Sequence, residues 1–402
     1  MKYTLAEIFE KPISGEWGTD LIKGKEGVKV IRTTNFTNLG RLNFADVVQR
    51  DIDIEKYKDK VLKFGDIIVE KSGGSPTQPV GRVVIFEKIT EEKYFCNNFT
   101  SILRPTKVIY PKYSLYLLKD LYLKGKVMKY QNKTTGIINL KLNDYLQNTH
   151  VYIPSLEIQE KIANALDKAQ QLIDKRNAQI KALDELVKSK FIEMFGDPVI
   201  NSKGWDIKNL GALGYFKNGM NYNQRDSGFS IKFLGVGEFK HGNIINSSNM
   251  LATLELQEEP NEEYLLRNGD IVFVRSNGSK ELVGRSVLIR ELKEKTTYSG
   301  FCIRYRNQFK ELLPDFLIYL FSDENFKRSF KNDSRGANIN NLNQQMLSSL
   351  KIIVPPIELQ NQFASFVSQV DKLKFKMEES LTELENNFNS LMQKAFSGEL
   401  FN

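Results

Sequence analysis

The feature that most constrains this chain is an internal repeat that spans half of its length. The run Val-Tyr-Ile-Pro-Ser-Leu-Glu-Ile-Gln at 151–159 returns as Ile-Ile-Val-Pro-Pro-Ile-Glu-Leu-Gln at 352–360, an offset of 201 residues in a chain of 402. The match continues without a gap to Phe195 in the first copy and Phe396 in the second. Self-similarity on this scale predicts two copies of one folding unit rather than a single irregular domain.

Upstream of this run the two copies resemble each other more loosely. Three short matches extend the repeat: 65–75 with 269–279, 80–82 with 283–285, and Phe95-Cys96 with Phe301-Cys302. Their offsets are 204, 203 and 206 residues. Insertions and deletions in surface loops would produce such a drift after a duplication, so we predict the order globular unit, helix, globular unit, helix.

Each copy ends in a long stretch with helical periodicity. Apolar residues recur there at steps of three and four, separated by Lys, Glu, Gln and Asn, over at least about four heptads. The apolar positions are Ile162, Leu166, Ile173, Ile180, Leu183 and Val187 in the first stretch, and Phe363, Val367, Val370, Met377, Leu381, Leu384 and Phe388 in the second. A helix of roughly 40 residues is about 60 Å long, too long for one small core, so its natural partner is the other copy.

The stretches before the long helices have a different pattern. Short apolar runs such as 67–69 and 271–274 alternate with Gly, Asn and Asp, which is typical of strands joined by exposed loops. A few helices are predicted among them, including 113–124 and 315–329. The patterns together predict an α+β fold, a tandem pseudo-repeat of two mainly-β units that are each followed by a long helix. The predicted domain bounds are 1–154 and 199–355 for the units and 155–198 and 356–402 for the helices.

Composition indicates a cytoplasmic chain with a mild basic excess. Its 41% hydrophobic and 11% aromatic residues suffice for real cores, while apolar runs fall far short of the roughly 18 residues that span a bilayer. The N-terminus carries no apolar signal segment, and the two cysteines, Cys96 and Cys302, are predicted to be small core residues. The 57 Lys plus Arg against 49 Asp plus Glu leave a net charge of +8, which permits a polyanionic partner without proving one.

Sequence motifs for catalysis are missing. There is no GxxxxGK[ST] phosphate loop, no HExxH, no GxSxG and no GxGxxG after a strand. The Asn/Asp-Pro-Pro-aromatic tetrapeptide of aminomethyltransferases is also missing, because Val354 precedes the Pro355-Pro356 pair. Triplets such as Asp270, Glu291 and Lys293 arise by chance in a chain that is 26% charged. We therefore expect a non-catalytic protein with no metal of its own.

Four loops, two in each copy, are the candidate DNA contacts. Arg and Lys can bind guanine, Asn can bind adenine, and Ser, Thr and glycine amides can bind phosphate. The candidates are Lys71, Ser72, Gly73, Arg82, Lys133, Thr134, Thr135 and Asn139 in the first copy, and Arg275, Ser276, Asn277, Lys280, Arg285, Arg335, Asn338 and Asn340 in the second. Any one of them fits an ordinary solvated turn equally well, but recurrence in both copies favours DNA contact. Trp17 and Trp205 fit either a core or a stacking surface.

The junctions between these segments carry a family resemblance. Each globular unit ends in Pro-x-Leu/Ile-Glu-x-Gln, the first helix closes in Phe-Ile-Glu-Met-Phe-Gly-Asp-Pro at 191–198, and Lys-Gly-Trp at 203–205 opens the next unit. With the C-terminal run at 391–400, this arrangement resembles the specificity (S) subunits of type I restriction–modification enzymes over essentially the whole chain. The resemblance implies two target recognition domains that read the two halves of a split asymmetric DNA site. It also implies that the two helices pack as an antiparallel coiled coil and act as a spacer.

The same resemblance implies the partners. These are double-stranded DNA, two methyltransferase (M) subunits and, in the full complex, restriction (R) subunits that act as ATP-driven motors. S-adenosylmethionine, ATP and Mg²⁺ are then expected in the partners, with no cofactor on this chain. Two alternatives remain: an S subunit of a type II system with a fused restriction–methylation polypeptide, and a structural coiled-coil protein without a DNA role. The junction motifs and the basic excess argue against the second.

Overall fold

A computed structural model describes residues 1–402 apart from 23, 25, 76–77, 135–136, 223–226, 279–281, 333–340 and 402, and the side chains of 133–134, 241 and 329–332. The chain forms two compact units. The first comprises Met1–Asn177 with Ser380–Asn402, and the second comprises Ala178–Glu379. Each unit therefore holds one globular part and about half of each long helix. The domain bounds drawn from the sequence stay a prediction.

The first unit mixes short strands with helices. Its strands are β1 (Lys2–Thr4), β2 (Ile13–Ser14), β3 (Val28–Ile31), β4 (Val48–Arg50), β5 (Ile67–Glu70), β6 (Ser72–Gly73), β7 (Val83–Ile85), β8 (Tyr94–Cys96), β9 (Thr100–Leu103), β10 (Gln131–Thr134), β11 (Ile137–Leu140) and β12 (His150–Tyr152). Its helices are α1 (Leu5–Ile8), α2 (Pro111–Leu123), α3 (Leu142–Asn148) and the first half of α4 (Leu156–Phe195).

These strands form four small sheets. An antiparallel sheet has the order β2-β9-β5-β7, and a second sheet has the order β4-β3-β8, in which β3 and β8 are parallel. A third sheet, β10-β11-β6, joins the loop after β5 to the hairpin before α3. The pair β1-β12 ties the N-terminal strand to the segment that leads into α4.

The second unit also mixes strands and helices. Its strands are β13 (Asp206–Asn209), β14 (Gly214–Asn218), β15 (Phe229–Leu234), β16 (Ile244–Ile245), β17 (Ala252–Leu256), β18 (Ile271–Val274), β19 (Ser286–Ile289), β20 (Thr296–Tyr298), β21 (Cys302–Asn307) and β22 (Lys351–Val354). Its helices are α5 (Pro314–Ser322), α6 (Glu324–Asn332), α7 (Gln344–Ser348) and the first half of α8 (Ile357–Ser397), with the second half of α4. The sequence predicted an α+β fold, and its mixture of helices and sheets is confirmed.

The strand orders of the two units correspond. The order β14-β21-β18-β19 in the second unit matches β2-β9-β5-β7 in the first, with β16 added as a parallel edge strand. Likewise β17-β15-β20 matches β4-β3-β8, and β13-β22 matches β1-β12. The two units therefore share a sheet topology although their loops differ in length and sequence.

The match of Phe95-Cys96 with Phe301-Cys302 is wrong. Cys96 lies on β8, whereas Cys302 lies on β21, which corresponds to β9. In register, Glu70 faces Thr100 and the matched Val274 faces Cys302, so the local offset is 202 and the counterpart of Phe301 is Phe99. A shared dipeptide misled the alignment because the connection between these strands differs between the copies.

Both cysteines are nevertheless core residues, as predicted. Cys96 and Cys302 are each fully buried and unpaired. Burial raises the pKa of the Cys96 thiol to about 11 and that of the Cys302 thiol to about 12. Both side chains therefore act as small apolar groups at neutral pH.

A glycine–aspartate pair braces the central sheet of each unit. Gly65 and Gly269 have φ of 88° and 89°, a turn that favours glycine, and each precedes an aspartate that is 1% exposed. Asp66 accepts two hydrogen bonds of 2.8 Å from the Arg104 guanidinium. Asp270 accepts two of 2.7 Å from Arg306. The repeated Gly-Asp-Ile motif is therefore structural: it pins the start of one strand to the end of its neighbour.

The long helices have the predicted length. α4 contains 40 residues and α8 contains 41. The predicted apolar positions are buried in Ile162, Leu166, Ile173, Val187, Phe363, Val367 and Val370, and half-buried in Ile180, Leu183, Met377, Leu381, Leu384 and Phe388. Among the described residues, no helix is long and apolar enough to cross a membrane.

Within each unit the two helical halves run in opposite directions. In the second unit, Phe195 of α4 contacts Phe363 of α8 at 5.4 Å between ring centroids, whereas the earlier Asp184 accepts a 2.6 Å hydrogen bond from the later Lys374. In the first unit, Ile162 lies with Ala395 along one cleft and Ile173 lies with Phe388 along another. Later residues of α4 therefore contact earlier residues of α8, so the two helical halves are antiparallel within each unit.

A buried glutamine joins each long helix to its globular part. Gln159 and Gln360, the last residues of the repeated Pro-x-x-Glu-x-Gln motif, are both 0% exposed. The Gln159 carbonyl accepts from the Tyr110 backbone N–H at 2.7 Å, and its amide donates to the Val108 and Pro154 carbonyls at 3.0 and 2.9 Å.

Gln360 makes the same three bonds in the second unit. It accepts from the Leu313 N–H at 2.8 Å and donates to the Glu311 and Pro355 carbonyls at 2.9 and 2.7 Å. Tyr110 and Leu313 are the N-caps of α2 and α5, whose first N–H groups have no partner inside their own helix. One side chain therefore satisfies a helix start and locks it to the long helix.

We predict that Gln159→Ala destabilises the protein by about 2–4 kcal/mol, because three backbone groups lose the partner that this fully buried side chain gives them. The matched control is Gln171→Ala, on an exposed position of the same helix, which should change the free energy of unfolding by less than about 0.5 kcal/mol. Urea unfolding followed by circular dichroism measures both, and equal midpoints for the two variants would contradict the role assigned to Gln159.

Candidate nucleic-acid interface

In the first unit the structure brings two of the predicted loops together. Strand β6 pairs with β11, so that Ser72 lies opposite Asn139 and its hydroxyl donates a 2.5 Å hydrogen bond to the Asn139 side-chain oxygen. The Leu140 N–H donates to the Lys71 carbonyl at 2.8 Å. Gly73 follows with φ of 117°, which lets the chain turn away at once. Lys71, Ser72, Gly73 and Asn139 therefore form one continuous surface, with the backbone of Lys133 and Thr134 in the adjoining strand β10.

The second unit has the same contact between two loops, called the junction of each unit, with other residues. Ser276 forms an isolated antiparallel bridge with Asn341, and the Leu342 N–H donates to the Arg275 carbonyl at 2.8 Å, the bond that Leu140 makes to Lys71. Asn277 is half-buried beside it. The remaining candidates in these loops lie outside the described residues: Thr135, Lys280, Arg335, Asn338 and Asn340.

Two arginines that match in sequence have different surroundings. Arg82 donates hydrogen bonds of 2.8 and 3.0 Å to the carboxylate of Glu70, which is 2% exposed, and this pairing raises the pKa of Arg82. In the second unit Val274 stands where Glu70 does, and Arg285 is exposed with no carboxylate partner among the described residues. Arg82 is thus neutralised inside the fold, whereas the described residues offer Arg285 no carboxylate.

Each junction carries a cation that is half-buried. Lys71 donates to the Ser14 hydroxyl at 2.5 Å, and burial lowers the pKa of its ammonium group. Arg275 is half-buried. Within the described part of the chain, neither forms a salt bridge. A half-buried cation without a carboxylate is costly unless an anion from elsewhere meets it, and DNA phosphate or a guanine edge would do so.

An exposed phenylalanine adjoins each junction, and sequence reasoning missed it. The Phe99 carbonyl accepts from the Lys71 and Ser72 N–H groups at 2.9 and 3.1 Å. The Phe301 carbonyl accepts from Arg275 and Ser276 at 2.8 and 3.4 Å. The equivalence shows only when the strand registers are matched, since the sequence pairs Phe301 with Phe95.

Both tryptophans pack against the hydrophobic residues of their own unit. The Trp205 indole N–H donates to the Phe195 carbonyl at 2.8 Å, at the end of α4, and the ring packs on the hydrophobic core of the second unit. Trp17 packs beside Val30 and Phe95 of the first unit, and the Arg50 guanidinium lies 4.5 Å from its ring centroid. Trp205 is therefore a structural residue that seals the helix end, and Trp17 is a half-buried ring covered by a cation.

Comparison with known proteins agrees with this architecture. Residues 1–182 and 202–386 match the family described as Type I restriction modification DNA specificity domain. The specificity subunit of the type I restriction enzyme StySPI from Salmonella potsdam is 28% identical over 391 residues, covering 92% of this chain and 82% of that protein. The corresponding subunit of EcoKI from Escherichia coli K12 is 25% identical over the same shares.

A solved structure shows the same fold. The type I restriction–modification S subunit from M. genitalium superposes with a TM-score of 0.52 at 18% identity, covering 98% of this chain and 96% of that one. The family match spans most of the chain in two segments, as the repeat requires. The chain belongs to the family of type I restriction–modification DNA specificity subunits, and the resemblance drawn from its junction motifs is confirmed.

The contrast between Arg82 and Arg285 gives a prediction. Arg82→Met leaves the buried Glu70 carboxylate without its partner, and we expect a loss of about 2–4 kcal/mol in the free energy of unfolding. Arg285→Met should cost less than about 0.5 kcal/mol but weaken DNA binding by the assembled complex and lower its salt dependence by about one phosphate contact. Urea unfolding and binding titrations at several salt concentrations measure the two effects.

The control copies into the first unit the residue that the second unit has at the equivalent position. In Glu70→Val with Arg82→Met, the valine found at 274 replaces the buried carboxylate, so most of the lost stability should return. Failure of the double variant to recover would show that Arg82 stabilises the fold by some contact other than Glu70.

Proposed function

We propose that this chain is the non-catalytic DNA-reading subunit of its complex, with each unit reading one half of a split site. The observation that carries the proposal is the repeated junction, in which Lys71 and Ser72 meet Asn139 in one unit and Arg275 and Ser276 meet Asn341 in the other. The same backbone positions donors in both units. Side chains that differ between the units supply the recognition.

The two half-sites should have unrelated sequences. Lys71 is a point charge on a flexible stem, followed by Gly73 and Gly74, whereas Arg275 is a planar fork, followed by Asn277 and Gly278. Arginine favours two bonds to guanine, and asparagine favours adenine. A symmetric dimer would read a palindrome, but two diverged copies on one chain read an asymmetric site.

The long helices are proposed to set the gap between the half-sites as an antiparallel coiled coil. Support comes from the opposite directions of α4 and α8 within each unit and from the apolar positions that continue along both helices at heptad spacing. Half-sites about one turn of DNA apart, roughly 34 Å, are within reach of helices about 60 Å long.

Methylation and cleavage are proposed to reside in partner subunits. Two M subunits would bring S-adenosylmethionine, and R subunits would bring the ATP- and Mg²⁺-dependent steps, while this chain binds none of these groups. Leu172 of α4 and Leu373 of α8 are 52% and 45% exposed at positions related by the 201-residue repeat. Matched apolar positions on the two helices suit two copies of one partner.

Methylation sequencing tests the proposal directly. A host that carries this gene with its neighbouring modification gene should show N6-methyladenine in a split asymmetric motif. The same host without this gene should lose that motif. Unchanged methylation, with the modification subunit expressed and active beside another S subunit, would exclude the role in specificity.

Shortening the helices tests the spacer. Removing one heptad from the middle of each helix, 175–181 in α4 and 377–383 in α8, shortens both by about 10 Å while keeping the apolar faces aligned. The methylated motif should then have a gap about three base pairs shorter and both half-sites unaltered. A deletion in one helix alone is the control and should abolish methylation, because the two helices then differ in length by about 10 Å and both ends cannot stay in register.

A further inference from the structure

Exposed phenyl rings occupy the same place in both units. Phe99 is 45% exposed and Phe301 is 62% exposed, and neither ring contacts another aromatic ring among the described residues. Isolated exposed apolar side chains are common on proteins and need no explanation by themselves. Two that recur at one structural position, each on a residue whose backbone carbonyl binds the N–H of a cationic residue, call for one.

The backbone that carries each ring is rigidly held. The chain turns tightly, with the Thr100 N–H donating to the Asn97 carbonyl at 3.0 Å and the Cys302 N–H donating to Ser299 at 2.8 Å. The flanking residues Asn97 and Ser299 are themselves anchored, because their N–H groups donate to Ile31 and Leu234 at 2.9 and 3.1 Å. Both rings therefore stand on the third residue of a fixed four-residue turn.

The surroundings of the rings indicate a polyanionic partner. The carbonyls of Phe99 and Phe301 accept hydrogen bonds from the backbone N–H groups of Lys71 and Arg275, the two cations that form no salt bridge in the described part of the chain. An exposed apolar ring on a turn whose backbone pairs with that of a half-buried cation suits duplex DNA, where the cation meets phosphate or guanine and the ring meets a base. A protein partner that covered the ring would also have to neutralise the cation.

Resting on the function proposed above, we propose that Phe99 and Phe301 are base-contacting residues, one in each half-site. Each ring packs against the apolar surface of a base, either a thymine methyl group or an exposed base face, beside the polar contacts of the neighbouring loop. Because the turn is fixed and the ring is not charged, this contact reads bases without adding to the phosphate contacts.

The test compares Phe99→Ala, Phe301→Ala and the wild-type chain in complex with its modification subunit. We expect each alanine variant to bind its site about 5- to 100-fold more weakly, with the slope of affinity against salt unchanged. Lys71→Met should lower that slope by about one contact. Methylation sequencing should show relaxed bases in one half-site for Phe99→Ala and in the other half-site for Phe301→Ala.

Two controls keep the result specific. Ile89→Ala removes a side chain that is 90% exposed in the loop before β8, at the opposite end of that strand from Phe99, and should leave affinity and motif unchanged. Phe99→Tyr keeps the ring and should retain most of the affinity. Unfolding midpoints equal to wild type would confirm that each variant folds.

Several outcomes overturn the inference. Unaltered affinity and motif in both alanine variants would show that the rings do not contact bases. Weaker assembly with the modification subunit in the absence of DNA would assign the rings to a protein interface instead. Neither result affects the proposed function, which fails only if the wild-type chain confers no methylation motif.

Discussion

The buried glutamine amide is the interaction on which the rest of each unit depends. Gln159 and Gln360 are fully buried in the first turns of the long helices, and each makes three hydrogen bonds. These bonds join α4 to the start of α2 in the first unit and α8 to the start of α5 in the second. The proposed reading surface requires a fixed orientation on the long helix. A buried amide fixes it because every misaligned arrangement leaves three backbone groups unsatisfied.

The cationic residues of this protein fall into two groups, those that form salt bridges within the fold and those that form none among the described residues. Asp66 and Asp270 engage Arg104 and Arg306, and Glu70 engages Arg82, so these arginines brace strands. Lys71 and Arg275 form no salt bridge among the described residues. The net charge of +8 does not reveal this division, because paired and unpaired cations contribute to it alike.

Duplication gives the two units a shared sheet topology that carries different side chains. The Ser72–Asn139 and Ser276–Asn341 junctions and the two tight turns are set by equivalent backbone hydrogen bonds in both units, and the two glutamines bind equivalent backbone groups through their side chains. The side chains attached to them have diverged, as the change from Glu70 to Val274 shows. A diverged pair thus keeps its geometry while each copy acquires its own side chains, which supports the proposal that the two units read different half-sites.

The sequence by itself determined the repeat, the two 40-residue helices, the mixed fold class and the family, since heptad periodicity and junction motifs are local signals. The buried role of Gln159, the pairing of Arg82 and the equivalence of Phe99 with Phe301 were decided only by tertiary structure. They depend on strand register and on partners distant in the chain: Glu70 lies 12 residues from Arg82, and Tyr110 lies 49 from Gln159. Loops of unequal length erase such correspondence from an alignment, whereas backbone hydrogen bonds preserve it in space.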